Sequence, residues 1–379
     1  VRPASEVERR RLNETFAALC AIASPSGGER AVADRVTSEL RALGIEVAED
    51  GAAERAGAGA GNLLARIPGR APESVLLCAH LDTVPHTQPV EPVLVDGGWE
   101  SAGETILGAD NKAAVAMLLE LARRTSIEGS PVGIELLFTV GEERALAGAK
   151  AFDLGELRSP FGYVFDHASP IGEIVVASPT YVRWEAELEG QAAHAGMHPE
   201  EGRSAILAAA RAIAQLPSGR LDEQTTVNVA RIDGGVEGTT NIVPERCRIV
   251  GEARSLSEAG LDEAMAEIVD ALHDAANDPD CPCDLDITVE RLFDGYRRKQ
   301  SSPAVQAAEA ALRERGYAPR RILSGGGSDA NAFEAGGFTC VNLANGTERA
   351  HQPSERVSQA SLEGMLDVTY ALLDELGGA

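Results

Sequence analysis

The spacing of apolar positions opens the chain with two helices. Over residues 8–20 and 29–43, apolar side chains recur every three or four positions, the period that turns one helix face toward a core. Ser24-Pro25-Ser26-Gly27-Gly28 breaks the two apart. Gly44 ends the second, residues 45–47 start a strand, and the Gly- and Ala-rich stretch 51–61 reads as a flexible loop. Strands follow at 62–67 and 75–80; the latter is apolar almost throughout, the pattern of a strand buried on both faces. After a loop over 87–105 come a helix at 113–124 and another buried strand at 132–140. Tyr163-Val164-Phe165 then leads into Asp166. Strands alternating with helices predict an open, mostly parallel α/β sheet.

Near Ser178 the pattern changes. Residues 181–189 alternate apolar and polar (Val182, Trp184, Ala186, Leu188), as a half-exposed antiparallel strand does. A helix at 204–216, strands at 225–233 and 245–255, a helix at 261–276 and a strand at 284–292 complete the order β-α-β-β-α-β. That is the ferredoxin-like order. It is closed within 178–294 and reads as a domain inserted into a larger one built from 1–177 and 295–379. The α/β pattern then resumes with a helix at 304–315, a strand at 338–343 and a final amphipathic helix at 359–376.

Composition narrows the class. A chain of 379 residues fits two domains better than one. Its net charge of −25 argues against nucleic acid as a partner, because phosphates require clustered Lys and Arg. The acids are dispersed, so they solvate the surface. Cys20, Cys78, Cys247, Cys281, Cys283 and Cys340 are scattered, several within apolar runs, and read as reduced, buried thiols of a cytoplasmic protein. No apolar run is long enough to span a membrane, and residues 2–11 are charged, without a signal-peptide core.

The candidate chemistry sits where an α/β sheet places its ligands, at the carboxyl ends of strands. His80 and Asp82 follow one strand; Asp82 is two residues on and is placed to accept a hydrogen bond from the ring nitrogen that faces away from a metal. Asp110 precedes a helix, Glu142 and Glu143 follow a second strand, Asp166 a third, and His351 follows the strand containing Cys340. So many acids on one sheet edge repel one another unless cations sit among them. Two histidines and three carboxylates suffice for two divalent ions about 3.5–4 Å apart. One carboxylate must then bridge, and one remaining acid, Glu142, is free for proton transfer. Zn, Co and Mn all accept such a nitrogen and oxygen set.

The stretches His80-Leu81-Asp82, Gly108-Ala109-Asp110-Asn111-Lys112, Gly141-Glu142-Glu143, Ala192-Ala193-His194-Ala195-Gly196 and Gly325-Gly326-Gly327-Ser328-Asp329 resemble the co-catalytic di-zinc metallopeptidase family of peptidase T, aminoacylases and glutamate carboxypeptidases. The wording is most similar to peptidase T-like proteins, and the likeness runs along nearly the whole chain. It implies a mostly parallel-sheet catalytic domain carrying an inserted ferredoxin-like lid, which also makes the dimer contact. It further implies two ions, most often zinc: one on His80, Asp110 and Asp166, the other on Asp110, Glu143 and His351. Glu142 resembles the general base, Asp82 the partner of His80, and His194 an oxyanion donor from the lid. Asn241 and Arg254 match lid positions that hold substrate, Arg254 through its bidentate fork. Gly326 lies in a run read as backbone that approaches the substrate closely. The resemblance also implies a cis peptide bond between Asp110 and Asn111.

The expected activity is hydrolysis of an amide bond in short peptides, as a peptidase T-like aminopeptidase or tripeptidase. An N-acyl-amino-acid deacylase or a carboxypeptidase could use the same centre, and a non-catalytic metal-binding scaffold is the alternative from another class. An intact Glu142 argues against the scaffold.

Overall fold

The computed structural model describes residues 2–86, 88–299 and 301–378. The chain divides into two compact units, one formed by Val1–Ala177, Arg297–Ser324 and Ser328–Ala379, the other by Ser178–Tyr296 with Gly325–Gly327.

Four parallel strands form the heart of the first unit, in the order Gly133–Thr139, Ser74–His80, Phe161–His167 and Thr339–Ala344. Leu63–Ile67 adds antiparallel to Gly133–Thr139, and Val47–Glu49 adds beyond it. On the other side, Glu173–Ser178 runs antiparallel to Thr339–Ala344 and carries Arg320–Leu323 parallel to it. Six consecutive residues of Ser74–His80 and of Gly133–Thr139 are buried, which is why both read as unbroken apolar runs. The helix Ala109–Glu128 is buried around most of its circumference, as an Ala- and Leu-rich helix without a polar face must be. It packs against Glu6–Cys20, Gln359–Leu376 and Ser74–His80. This is a mixed α/β fold with a mainly parallel central sheet.

Burial at the chain start is not purely apolar. Arg124 forks onto Glu8 at 2.6 and 3.0 Å, donates to the carbonyls of Arg2 and Pro3, and lies over the Tyr370 ring. These bonds fasten the first residues to two helices of the core.

In the second unit, the strands lie in the order Gly219–Arg220, Thr225–Gly234, Arg246–Ser255, Thr180–Glu189 and Asp284–Phe293, every neighbour antiparallel. The helices Ala205–Gln215 and Glu258–Ala276 contribute to a core shared with Val182, Trp184, Ala186 and Leu188. Trp184 lies so close to the neighbouring strand that a Cβ at Gly251 would meet its ring at 2.2 Å; only glycine fits there.

Several segments depart from the sequence reading, the strand Glu173–Ser178 among them. Within 87–105, read as one loop, Pro92–Val95 and Gly98–Ser101 form a hairpin. Its turn is Asp96-Gly97, both residues at positive φ, as a two-residue primed turn requires. The hairpin joins Arg356–Ser358 and Thr347–Glu348 in a small second sheet. Within 51–61, read as a flexible loop, Ala52–Ala56 is helical and ends on left-handed Gly57. The Glu29 carboxylate accepts the N–H groups of Gly27 and Gly59 and ties this stretch down. Finally, Arg320–Leu323 is a strand and Asp329–Ala335 a helix, where the sequence offered seven helical residues flanked by glycines and no visible period.

Candidate metal centre

The central strands deliver their ligands to one edge. His80 is the last residue of Ser74–His80, Asp166 lies near the end of Phe161–His167, and Glu142 and Glu143 sit just past Gly133–Thr139. His351 occupies the turn between Thr347–Glu348 and Arg356–Ser358, in the left-handed region at φ 68°. Asp110 stands at the start of Ala109–Glu128, where it and Asn111 leave helical backbone angles. The Asp110–Asn111 peptide bond is cis.

Asp110 spans the two histidines with its two oxygens. Its Oδ1 lies 3.3 Å from His80 Nε2 and its Oδ2 3.3 Å from His351 Nε2. Asp166 Oδ1 is 3.4 Å from His80 Nε2, and Glu143 Oε1 is 2.9 Å from His351 Nε2. Two donor groups, His80–Glu142–Asp166 and His80–Asp110–Glu143, have their ligand atoms all within 4.8 Å of one another. Glu142 thus lies within the cluster. His167, the neighbour of Asp166, belongs to neither group.

Asp82 holds the ring from behind and the acids from the side. His80 Nδ1 is 3.0 Å from the Asp82 carbonyl oxygen and 3.5 Å from its carboxylate. That carboxylate accepts the backbone N–H groups of Glu142 (3.0 Å) and Glu143 (3.2 Å) and the Ser26 hydroxyl (2.6 Å). Arg144, next in the same loop, donates to the carbonyls of Gly57 and Ser26.

The electrostatics show what the cluster lacks. Burial pushes the Asp166 carboxyl up to about 8, with Asp110 and Asp329 adding to the shift against His80. Burial, reinforced by the charges of Asp166, Glu143 and Asp329, raises Glu142 well above the carboxylate range. Burial opposes a charged His80, yet Asp166, Asp110 and Asp82 outweigh it and raise its pKa well above the usual value. Hydrogen bonds donated by its ring to Asp110 and Glu143 hold His351 up at about 10. Two imidazoles among this many buried acids leave an excess of negative charge. Lys112 does not offset it at the ligands, since its ammonium donates to the Ile22 carbonyl. Two divalent cations on this nitrogen and oxygen donor set would relieve the repulsion, so the residues fit the metals that the sequence implies. The ligand sets that the resemblance implies, His80–Asp110–Asp166 and Asp110–Glu143–His351, differ from the two donor groups described above, which include Glu142 and leave out His351.

The second unit carries the remaining candidates, in two separate places. The loop with His194 pairs with the loop of Asn241: Ala195 N–H donates to the Asn241 carbonyl, and His194 bridges to Ile242. His194 is exposed, and its Nδ1 accepts the N–H groups of Gly196 and Met197 at 3.2 Å. Arg254 belongs to the other end of the sheet. It lies over the Tyr181 ring and is hydrogen-bonded to Glu252. Tyr181 packs edge-on against Phe293, whose ring is so close to Gly327 that a Cβ there would clash. The carbonyl of neighbouring Gly326 accepts from the Ser178 hydroxyl.

Sequence reasoning passed over three side chains at the centre. Ser26 lies in a Pro/Gly break and looks like a turn residue. Asp329, in the glycine-rich motif, is buried; its Oδ2 accepts from the Thr139 hydroxyl, and its Oδ1 has no hydrogen-bond partner among the described residues. Glu355, buried four residues after His351, accepts three backbone N–H groups of the turn that leads into Asp110. Nothing in the sequence set it apart from other loop glutamates.

Fold and site define a class, and the comparisons identify it. The chain belongs to peptidase family M20/M25/M40, whose profile matches residues 76–375. It is 35% identical to the uncharacterized protein YqjE of Bacillus subtilis, over 97% of this chain and 99% of that one. Among solved structures, it superimposes on aminopeptidase PepT from Bacillus cereus with a TM-score of 0.85 at 36% identity, covering 97% and 98% of the two chains. On a tripeptidase from Staphylococcus aureus the TM-score is 0.90 at 33% identity, covering 98% and 99%. Among the described residues, no helix is long and apolar enough to cross a membrane, and all six cysteines are free.

Proposed function

We propose that this peptidase hydrolyses short peptides with two divalent ions, zinc foremost and cobalt or manganese acceptable to the same donors, as an aminopeptidase or tripeptidase of the peptidase T kind. The observation that carries this reading is Asp110, whose two carboxylate oxygens face two different histidines at equal distance. Bound ions supply Lewis-acid polarisation of the scissile carbonyl and a water of lowered pKa. Glu142, in a loop pinned by Asp82, would be the residue to take a proton from the attacking water and return it to the departing amine. The family likeness to an aminopeptidase and a tripeptidase supports the substrate class.

The lid residues support a homodimer. Because His194 Nδ1 accepts backbone hydrogens, its proton sits on Nε2, and that nitrogen is the donor available to an oxyanion. Arg254 pairs with Tyr181 at one end of Thr180–Glu189, whereas the His194 loop leaves from the Glu189 end. From Tyr181 to Glu189 is about 27 Å of strand. A tripeptide spans only about 10 Å. His194 and Arg254 of one chain therefore do not serve the same short peptide, and a second copy is the natural source of the histidine. In this reading the unit Ser178–Tyr296 is the lid and dimer contact, Asn241 accompanies His194, and Arg254 and the Gly326 backbone hold the peptide. The free thiols fit a cytoplasmic location.

The test is hydrolysis of tripeptide, dipeptide and N-acyl-amino-acid panels, before and after chelation and after return of zinc, cobalt or manganese. Chelator-sensitive release of the N-terminal residue from tripeptides supports the proposal. Turnover of N-acylated substrates alone assigns the centre to a deacylase, and activity that survives full metal removal refutes the metal chemistry.

A further inference from the structure

The turn entering the helix Ala109–Glu128 is not capped by its own residues. The position before the helix is Gly108, at φ 76°, and it offers no side chain. A helix start leaves backbone N–H groups without partners. Here the partner comes from 245 residues away. Glu355 Oε2 accepts the N–H groups of Leu107 (2.9 Å) and Gly108 (2.7 Å), and its Oε1 accepts that of Asp110 (2.9 Å). Glu355 is 1% exposed. It ends the same turn that carries His351, between Thr347–Glu348 and Arg356–Ser358. One carboxylate therefore joins the backbone of the turn bearing Asp110 to the turn bearing His351.

We propose that Glu355 is a positioning residue that fixes Asp110 relative to His351, and so builds the second ion's site into the protein before metal arrives. This rests on the reading of Asp110 as the bridging ligand. A carboxylate that only capped a helix could come from any neighbouring segment. This one comes from the segment whose own ligand shares Asp110. Groups that orient metal ligands from behind, when removed, commonly weaken metal affinity or activity by about 10–100-fold.

Glu355→Gln keeps the shape but gives up one acceptor, so it can serve Leu107 and Gly108 or Asp110 but not both sides. Glu135→Gln is the control: Glu135 is equally buried, accepts the N–H groups of Arg158 and Ser159, and takes no part in the centre. Zinc binding is measured on wild-type and both variants by equilibrium dialysis with metal analysis, and kcat and KM at rising zinc. The expected result is that E355Q binds its weaker zinc about 10–100-fold less tightly. Its kcat recovers toward wild type as zinc is raised, its KM at saturating zinc is unchanged, and E135Q binds zinc as wild type does. Wild-type affinity for both ions in folded E355Q overturns the proposal, as does equal weakening in E135Q. An E355Q chain that does not fold also overturns it, by assigning the carboxylate to the fold. A wild-type protein that takes up fewer than two zinc ions would instead refute the underlying reading of the centre.

Discussion

Asp82→Asn is a perturbation whose size follows from the hydrogen bonds that the Asp82 carboxylate makes. The Asp82 carboxylate serves three donors: Glu142 N–H, Glu143 N–H and the Ser26 hydroxyl. An asparagine has one acceptor oxygen and one donor group in their place. The Ser26 hydroxyl can reverse its role and accept, so the amide NH₂ turns toward it, and the oxygen keeps Glu142 N–H. The N–H of Glu143, which shares the Oδ2 side with Ser26, then loses its acceptor. Leaving a buried donor unpaired costs about 1–3 kcal/mol. The loop can avoid that cost by moving, and Glu143 and its neighbour Glu142 move with it. If the same energy is lost from the transition state, kcat falls roughly 5- to 150-fold. Asp82 is fully buried behind His80, so KM should stay close to wild type. Steady-state kinetics on a tripeptide, with metal analysis of the same samples, read this out: reduced kcat, little change in KM, and partial loss of one ion. A variant with kcat within about twofold of wild type and both ions retained would refute the role given to Asp82.

Other outcomes follow from the same geometry. Glu142→Gln should keep its metal content and lose about 10²–10⁴-fold in turnover, whereas Glu143→Gln should lose an ion; metal analysis beside kinetics separates the two, and reversed results exchange the roles. Mixing His194→Ala with Glu142→Gln subunits, each nearly inactive, should restore activity once subunits exchange; no recovery in proven heterodimers places the histidine in its own chain's site. For stability, Glu8 is the acid to watch. Burial works against its charge, but Arg124, Ser5 and Arg2 hold its carboxyl well below the usual range. A depressed carboxylate contributes stability that is complete above its ordinary value of about 4.5 and is lost as pH falls below it. Glu8→Gln should therefore cost about 3–5 kcal/mol near neutral pH, the usual result of breaking a buried ion pair. In thermal melts its gap to wild type should narrow below about pH 4.5; a gap independent of pH would contradict the assignment.

How much of this could be read from the sequence depends on what each element is made of. Strands such as Ser74–His80 and helices such as Gln359–Leu376 announce themselves, because burial on two faces or on one stripe leaves a long apolar signature. The hairpin at Asp96-Gly97 carries its own turn signal, but the flanking strands are four residues each and too polar to register. The acids and histidines of the cluster stand at strand ends, where a parallel sheet concentrates its chemistry, so their convergence was legible. Glu355 was not. A glutamate in a loop looks solvated until the distant N–H groups it serves are seen. The separation of His194 from Arg254 was equally invisible, because it depends on strand register, which apolar alternation alone does not number.

In the proposed mechanism two ions share Asp110. Anomalous diffraction from zinc-loaded crystals tests it directly. Two peaks are expected about 3.5–4 Å apart, one bound by Asp110 Oδ1 with His80 and Asp166, the other by Asp110 Oδ2 with His351 and Glu143. A single peak at full zinc loading, or a pair bridged by any carboxylate other than Asp110, would contradict it.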